Sequence, residues 1–216
     1  MLKIHGLEIP QSLDDICHPA QMALIVYDMQ LGILRQLKDG TDVLRRVLQV
    51  VQAARAAGLR VIFMRHLSLP PKLMGVFQFR MSMAWQRADD PGEIKPWFLR
   101  DSPGFAIAPE LEPQADEAIF DKITMSAFES TPLAITLRDC GLKAFAIVGA
   151  AMEIGIEPTV RHGADLGFIP VIVRDACAAG DQPAAERSLQ SLAFMGDAIQ
   201  TDIATLCRIL AQNRLS

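Results

Sequence analysis

The chain has 216 residues, of which 50% are hydrophobic and 21% are charged, and its formal net charge is −4. This apolar content excludes an intrinsically disordered chain, and the length suits a single domain over residues 1–216. The acidic balance argues against nucleic-acid and polybasic membrane partners, and the longest uncharged apolar run, residues 144–152, is too short to span a bilayer.

Six short apolar runs alternate with helical patterns along the chain. The runs predict strands at 23–27, 61–64, 118–120, 144–148, 169–173 and 198–199. Helices are predicted from 41 or 42 to 57, and at 131–140, 155–166, 182–194 and 203–210. This alternation predicts an α/β fold, a three-layer α/β/α sandwich around a mostly parallel, six-stranded, Rossmann-like sheet.

One long segment interrupts the alternation after the second strand. Residues 67–117, called the arm below, contain seven of the thirteen prolines and both tryptophans. A stretch of this length inside a compact domain is usually functional or forms an intermolecular contact. Its aromatic residues are too apolar to stay solvated, so the arm is expected to form a pocket wall or a contact in a homodimer or higher homo-oligomer.

The cysteines and histidines suggest neither disulfides nor metal. Cys17, Cys140, Cys177 and Cys207 lie far apart without a C-x-x-C pair, which is typical of a reduced, cytoplasmic protein. Residues 1–10 lack the basic-then-apolar pattern of a secretory signal. The four histidines show no metal-ligand spacing, so no metal and no cofactor are expected.

Three charged or backbone features are expected at one edge of the sheet. Asp28 ends the first strand, Lys122 follows the third, and the turn at 149–155 follows the fourth. Ligands of open parallel sheets bind beyond the carboxyl ends of the strands. A carboxylate, an ammonium and a helix N-terminus would therefore converge on one crevice, although an aspartate after a strand can equally be a cap or a salt-bridge partner.

Three segments, in order, carry a resemblance to a known family. They are Ala23-Leu24-Ile25-Val26-Tyr27-Asp28-Met29-Gln30, then Lys122 with Ser126-Ala127-Phe128 and Thr131-Pro132-Leu133, and then 149–159 with 165–168 and 175–176. Over residues 21–177 the chain resembles the isochorismatase-like hydrolases, also called the cysteine hydrolase superfamily. The resemblance implies a hydrolase acting on a small molecule without a cofactor.

The resemblance also implies roles for individual residues. Asp28 would be the acid or base and Lys122 the cation that tunes it. The Ala150–Ala151 peptide would be cis, and the N–H groups of Ala151 and Gly155 would form an oxyanion hole. Gly155 departs from the amidase members, which carry a nucleophilic cysteine there, so the acyl-enzyme route is closed.

True isochorismatases carry glycine at that position and hydrolyse a vinyl ether to release pyruvate. By resemblance, Asp28 would protonate the substrate, Lys122 would be its electrostatic partner, and Gly155 would leave space for substrate or water. A nearby lysine would also lower the pKa of Asp28, which opposes its protonated form.

Further residues are weaker candidates. Glu153 is a candidate for substrate binding and could be a second acid or could position a water; alternatively it is a first-turn carboxylate that complements the helix dipole. Trp85 and Arg87 in the arm are candidates for substrate binding, as are Arg80 and Arg100. Cys177 is expected to be a structural thiol that does not replace the missing nucleophile.

Other functions remain open from the sequence. The chain could be a catalytically inactive small-molecule binder of the same fold, or an oligomer whose function lies in the arm. It could also be a C–N (amide or ureide) hydrolase whose nucleophilic cysteine has been lost or mutated at Gly155.

Overall fold

The computed structural model describes residues 1–213 and contains a central sheet of six strands. These strands are β3 (Met22–Tyr27), β4 (Arg60–His66), β5 (Ala118–Lys122), β6 (Ala144–Gly149), β7 (Ile169–Cys177) and β8 (Ile199–Thr201). Their order is β5-β4-β3-β6-β7-β8, and every neighbouring pair is parallel. A separate antiparallel hairpin precedes the sheet and pairs β1 (Leu2–Ile4) with β2 (Leu7–Ile9).

Helices cover both faces of the sheet. They are α1 (Leu31–Leu34), α2 (Gly40–Ala56), α3 (Val76–Gln86), α4 (Leu133–Asp139), α5 (Glu157–Asp165), α6 (Gln182–Met195) and α7 (Ile203–Asn213). One hydrophobic cluster joins α2 and α7 to the sheet, and a second joins α4, α5 and α6 to the opposite face. The predicted three-layer α/β/α sandwich is therefore confirmed.

The strand order creates a crevice between β3 and β6. From β3 the chain builds outward to β4 and β5, and then returns to add β6, β7 and β8 on the other side. The connections leaving β3 and β6 consequently diverge at their carboxyl ends, and this is where open α/β sheets bind ligands. Asp28 follows β3 directly, and the 149–155 turn leaves β6.

Several elements differ from the sequence prediction. The arm contains α3, whose apolar residues occupy all sides of the helix and give no amphipathic pattern. The N-terminal hairpin was not predicted, because its residues are exposed on both faces. The helix predicted to begin at Gly155 begins as a π turn at Met152–Ile156 and becomes α-helical only at Glu157.

None of the helices within residues 1–213 combines the length and apolar character that crossing a bilayer requires.

Candidate active site

A buried ion pair lies at the carboxyl edge of the sheet. The Lys122 Nζ donates a hydrogen bond to the Asp28 Oδ2 over 2.7 Å, and both side chains are almost completely buried. The other Asp28 oxygen, Oδ1, is buried without a hydrogen-bond partner among the described residues. Asp28 also has a φ of +50°, a left-handed conformation that aspartate tolerates better than most residues. The fold thus holds this carboxylate in place with one oxygen unpaired.

Burial decides the protonation behaviour of this pair. Desolvation raises the pKa of Asp28 to about 6, although the neighbouring Lys122 charge and hydrogen bond act in the opposite direction. Burial likewise lowers the pKa of Lys122, against the influence of Asp28. Because the desolvation of Asp28 outweighs the attraction of Lys122, the protonated carboxyl is accessible at mildly acidic pH.

Tyr27 packs directly against the ion pair. The Lys122 Nζ lies 4.2 Å from the centroid of the Tyr27 ring, and the phenol donates a hydrogen bond to the Met125 carbonyl. Burial, together with the Asp28 charge, raises the pKa of Tyr27 well above its ordinary value. Tyr27 therefore acts here as a neutral phenol.

The structure corrects the interpretation of Gly155 as space for substrate or water. A Cβ atom built on Gly155 would overlap the hydroxyl, Cζ and Cε1 atoms of Tyr27. Tyr27 lines the cavity described below, whereas Gly155 does not. The volume next to the glycine is thus filled by the phenol, because the missing side chain leaves room for the ring.

The backbone beside the ion pair has only part of the expected oxyanion hole. The Ala150–Ala151 peptide is cis, as the resemblance implies. The Ala151 N–H has no acceptor among the described residues. The Gly155 N–H is instead donated to the Ala151 carbonyl over 3.1 Å within the π turn. Of the two N–H groups expected in the oxyanion hole, the Ala151 N–H is therefore the one without an acceptor among residues 1–213.

A cavity of about 480 Å³ opens beside these groups. This volume is within the range of small-molecule sites. Its walls are mostly apolar or aromatic, with a few polar side chains, and consist of Tyr27, Asp28, Ile33, Gln36, Leu37, His66, Trp85, Trp97, Phe98, Met125, Ala150, Ala151, Glu153, Ile154, Gly180 and Asp181.

The arm supplies the aromatic wall of the cavity. Trp85, Trp97 and Phe98 all contribute to it, and the Phe98 ring contacts the His66 ring edge-on at 5.9 Å between centroids. Burial, helped by the Lys122 charge, lowers the pKa of His66 to about 3, so this histidine is neutral. The arm therefore forms a pocket wall, one of the two roles expected for it.

The expected arginines lie elsewhere. Arg87 is exposed at the end of α3 in a left-handed conformation and does not line the cavity. Arg80 is also exposed, and Arg100 forms a salt bridge with Asp121. Among the residues that the structure describes, no lysine or arginine lines the cavity. A substrate carboxylate would find no cation in this wall.

Glu153 faces the cavity and is held by the loop after β7. Its Oε1 accepts a hydrogen bond from the Asp181 N–H over 2.7 Å, and its Oε2 is buried without a partner. A Cβ on Gly180 would come within 2.7 Å of Oε1, so the glycine leaves room for this carboxylate. Glu153 thus lies both in the first turn of the helix and in the cavity wall, and its functional role stays a prediction.

Cys177 does not compensate for the missing nucleophile. Its Sγ lies within hydrogen-bond distance of the Val173 and Ile147 carbonyls, at 3.2 and 3.7 Å, and it is not part of the cavity wall. Burial raises the pKa of this thiol to about 12, which disfavours the reactive thiolate. No group of three histidine, cysteine or acidic side chains within residues 1–213 is arranged to hold a metal ion.

Tyr27 is the residue that sequence reasoning missed. It was quoted only as part of an apolar strand, and its contact with Gly155 is distant in sequence. The sequence does contain one signal for this contact. Tyr27 is a large aromatic residue directly before Asp28, and the same chain has a glycine at position 155.

Comparison with known proteins shows which family this chain belongs to. The family model described as "Isochorismatase domain" matches residues 22–204. The ureidoacrylate amidohydrolase RutB of Serratia proteamaculans is 28% identical over 210 residues, which cover 89% of this chain and 84% of that protein. The RutB of Acinetobacter baylyi is 30% identical over 174 residues, covering 74% and 71% of the two chains.

A solved structure has the same fold over nearly the whole length of both chains. The cysteine hydrolase from Pseudomonas syringae pv. phaseolicola superposes with a TM-score of 0.77 and 25% identity, over 91% of this chain and 95% of that one. The domain match, the relatives and the shared fold agree with one another, and this chain belongs to the isochorismatase family of hydrolases.

Proposed function

We propose that this hydrolase adds water directly to a small-molecule substrate, without a covalent enzyme intermediate, and that Asp28 donates the proton. The observation that carries the proposal is the contact between Tyr27 and Gly155, since the phenol fills the place from which a nucleophilic side chain would extend. No thiol among the described residues lines the cavity, so the proposal assigns proton transfer to the buried Asp28 carboxyl.

Each group has a defined part in this reaction. Asp28, with a pKa of about 6, protonates the substrate. Lys122 meanwhile holds the Asp28 Oδ2 by a hydrogen bond. For an amide or ureide, the Ala151 N–H would stabilise the negative charge that develops on the carbonyl oxygen as water adds. Water then attacks the activated carbon, and the adduct collapses to products with return of the proton to Asp28.

Two types of bond suit this chemistry. A vinyl ether needs only an acid and water, as the family resemblance implies, and its hydrolysis would release pyruvate when the ether is that of an enolpyruvate. That substrate carries a carboxylate, however, and no lysine or arginine among the described residues lines the cavity to bind it. We therefore propose the wider class of direct hydrolysis and not pyruvate release alone.

The second candidate bond is the C–N bond of an amide or ureide. It is favoured by the names of two relatives, which are ureidoacrylate amidohydrolases. In this chain the reaction would proceed by direct attack of water, because the cysteine position holds Gly155 and Tyr27 blocks it.

The test measures pyruvate from isochorismate and ammonia from ureidoacrylate and simple ureides, for the wild type, Asp28→Asn and Cys177→Ala. We expect Asp28→Asn to lower turnover at least a hundredfold, the scale of a lost general acid, and Cys177→Ala to leave turnover nearly unchanged. Turnover that survives Asp28→Asn, or a trapped acyl-enzyme in the wild type, would show that the proposed mechanism is wrong.

A further inference from the structure

Two buried carboxylate oxygens without partners belong to residues that line the same cavity. They are the Asp28 Oδ1 and the Glu153 Oε2. A buried acceptor that makes no hydrogen bond destabilises the folded state, so native proteins rarely keep one without a reason. Both side chains are otherwise fixed, Asp28 by Lys122 and Glu153 by the Asp181 N–H.

The charged side chains of the cavity wall are acidic. Glu153 and Asp181 are acidic, Asp28 is already paired with Lys122, and His66 is neutral because burial lowers its pKa to about 3. No lysine or arginine contributes to the wall within the described residues. An anionic ligand would therefore meet negative charge without compensation, which is costly in a partly desolvated site.

From these observations we infer that Glu153 is a specificity-determining residue, which selects a substrate whose head bears N–H donors and is uncharged or cationic, such as an amide, ureide or amidinium group. The head donates a hydrogen bond to the Glu153 Oε2 and lies beside the Asp28 Oδ1, from which the proton of the proposed reaction comes. This inference rests on the proposed function in one respect, that the cavity beside Asp28 is the substrate site.

The rest of the cavity suits such a ligand. Trp85, Trp97 and Phe98 form an aromatic wall, which binds a planar body and also attracts cations through the ring faces. Gly180 leaves the space that the Glu153 carboxylate occupies, so the loop after β7 positions this residue.

The experiment uses four probes of nearly equal size. Benzamide is uncharged with N–H donors, benzamidine is a cation with donors, benzoate is an anion, and methyl benzoate is uncharged without donors. Binding of each is measured by calorimetry, up to millimolar concentration, to the wild type, to Glu153→Gln and to Glu93→Gln. Glu93 is exposed in the arm and does not line the cavity, so its variant controls for loss of one negative charge.

We expect the wild type to bind benzamide and benzamidine at least tenfold more tightly than the other two probes. Glu153→Gln should weaken benzamidine about tenfold and benzamide much less, because both probes keep a neutral acceptor but only the cation also loses its attraction to a negative charge. Glu93→Gln should change neither of these two affinities. Equal affinity for benzoate, an unchanged profile in Glu153→Gln, or no binding of any probe would each overturn the inference.

Probe binding tests this inference, whereas turnover tests the proposed reaction, so the two can fail independently. If the probe preferences appear but Asp28→Asn retains turnover, the proposed reaction is wrong and the specificity stands. If Asp28→Asn abolishes turnover but Glu153→Gln binds all probes like the wild type, the reaction stands and the specificity is wrong.

Discussion

The two ends of the cavity are built in different ways. Its inner end consists of strand ends, where Asp28, Lys122 and Tyr27 are buried and fixed by parallel pairing. Its outer wall comes from the arm, where Trp85 lies near the end of α3, Trp97 lies in the irregular segment that follows, and both are partly exposed. In the proposed reaction the chemistry therefore belongs to the sheet, whereas the arm supplies the aromatic part of the surface that meets the substrate.

Removing the buried cation of Lys122 should have the largest effect on stability. Lys122→Met leaves the Asp28 carboxylate buried without its partner, and breaking such a pair lowers the free energy of unfolding by about 3–5 kcal/mol. The loss should be greater at pH 8 than at pH 5, where Asp28 becomes protonated. Urea denaturation measures it, with the exposed Lys143→Met as the control. An equal loss of stability in both variants would show that the Asp28–Lys122 pair does not stabilise the inner end of the cavity.

The pH dependence of stability tests Asp28 without any substrate. Its pKa is about 6 in the folded chain against 3.8 as the ordinary value. The folded state therefore binds the extra proton between about pH 4 and pH 6, and the free energy of unfolding falls as pH rises through that window. The fall is at most about 3 kcal/mol, since each pKa unit corresponds to 1.36 kcal/mol.

Asp28→Asn should remove this part of the slope, whereas the exposed Asp89→Asn should keep it. Identical slopes for the wild type and Asp28→Asn, measured by urea denaturation from pH 4 to pH 7, would mean that the Asp28 pKa is not raised.

Restoring a side chain at position 155 tests the packing against Tyr27. Gly155→Cys should destabilise the chain by about 1–3 kcal/mol, because the new Cβ overlaps the phenol. Gly75→Cys is the control, since its Cβ meets no atom within 4 Å. Tyr27→Val with Gly155→Cys should cost less than the sum of the single variants by at least about 1 kcal/mol, as expected for residues in contact. Additive effects would contradict the contact.

A substitution in the arm should have the smallest effect. Trp97→Ala removes part of the aromatic wall, so KM should rise several-fold while kcat changes little. Phe77→Ala is the matched control, because Phe77 is exposed in the same arm and does not line the cavity. A fall in kcat equal to that of Asp28→Asn would show that the arm also takes part in the chemistry.

The sequence predicted the inner end better than the outer wall. The runs 23–27 and 144–148 are apolar throughout, as strands buried on both faces must be, so the sheet and the positions of Asp28 and Lys122 could be predicted. Helix α3 could not, since its apolar residues do not follow one face. The expected role of Arg87 depended on the path of the arm, which no local pattern fixes.

The contact between Tyr27 and Gly155 was beyond sequence reasoning for another reason. A strand that is buried on both sides gives no pattern to show which face Tyr27 occupies. That face became known only from the packing of β3 against the π turn and α5. The homodimer or higher homo-oligomer predicted from the arm stays a prediction, for which sedimentation in solution is the measurement.

The interlocked phenol and glycine constrain how this chain can change over generations. A substitution that introduces a thiol at position 155 alone meets the phenol, and a substitution at Tyr27 alone leaves a hole beside the acid. Each single change is therefore destabilising without the other, and the two positions are expected to change together in related chains.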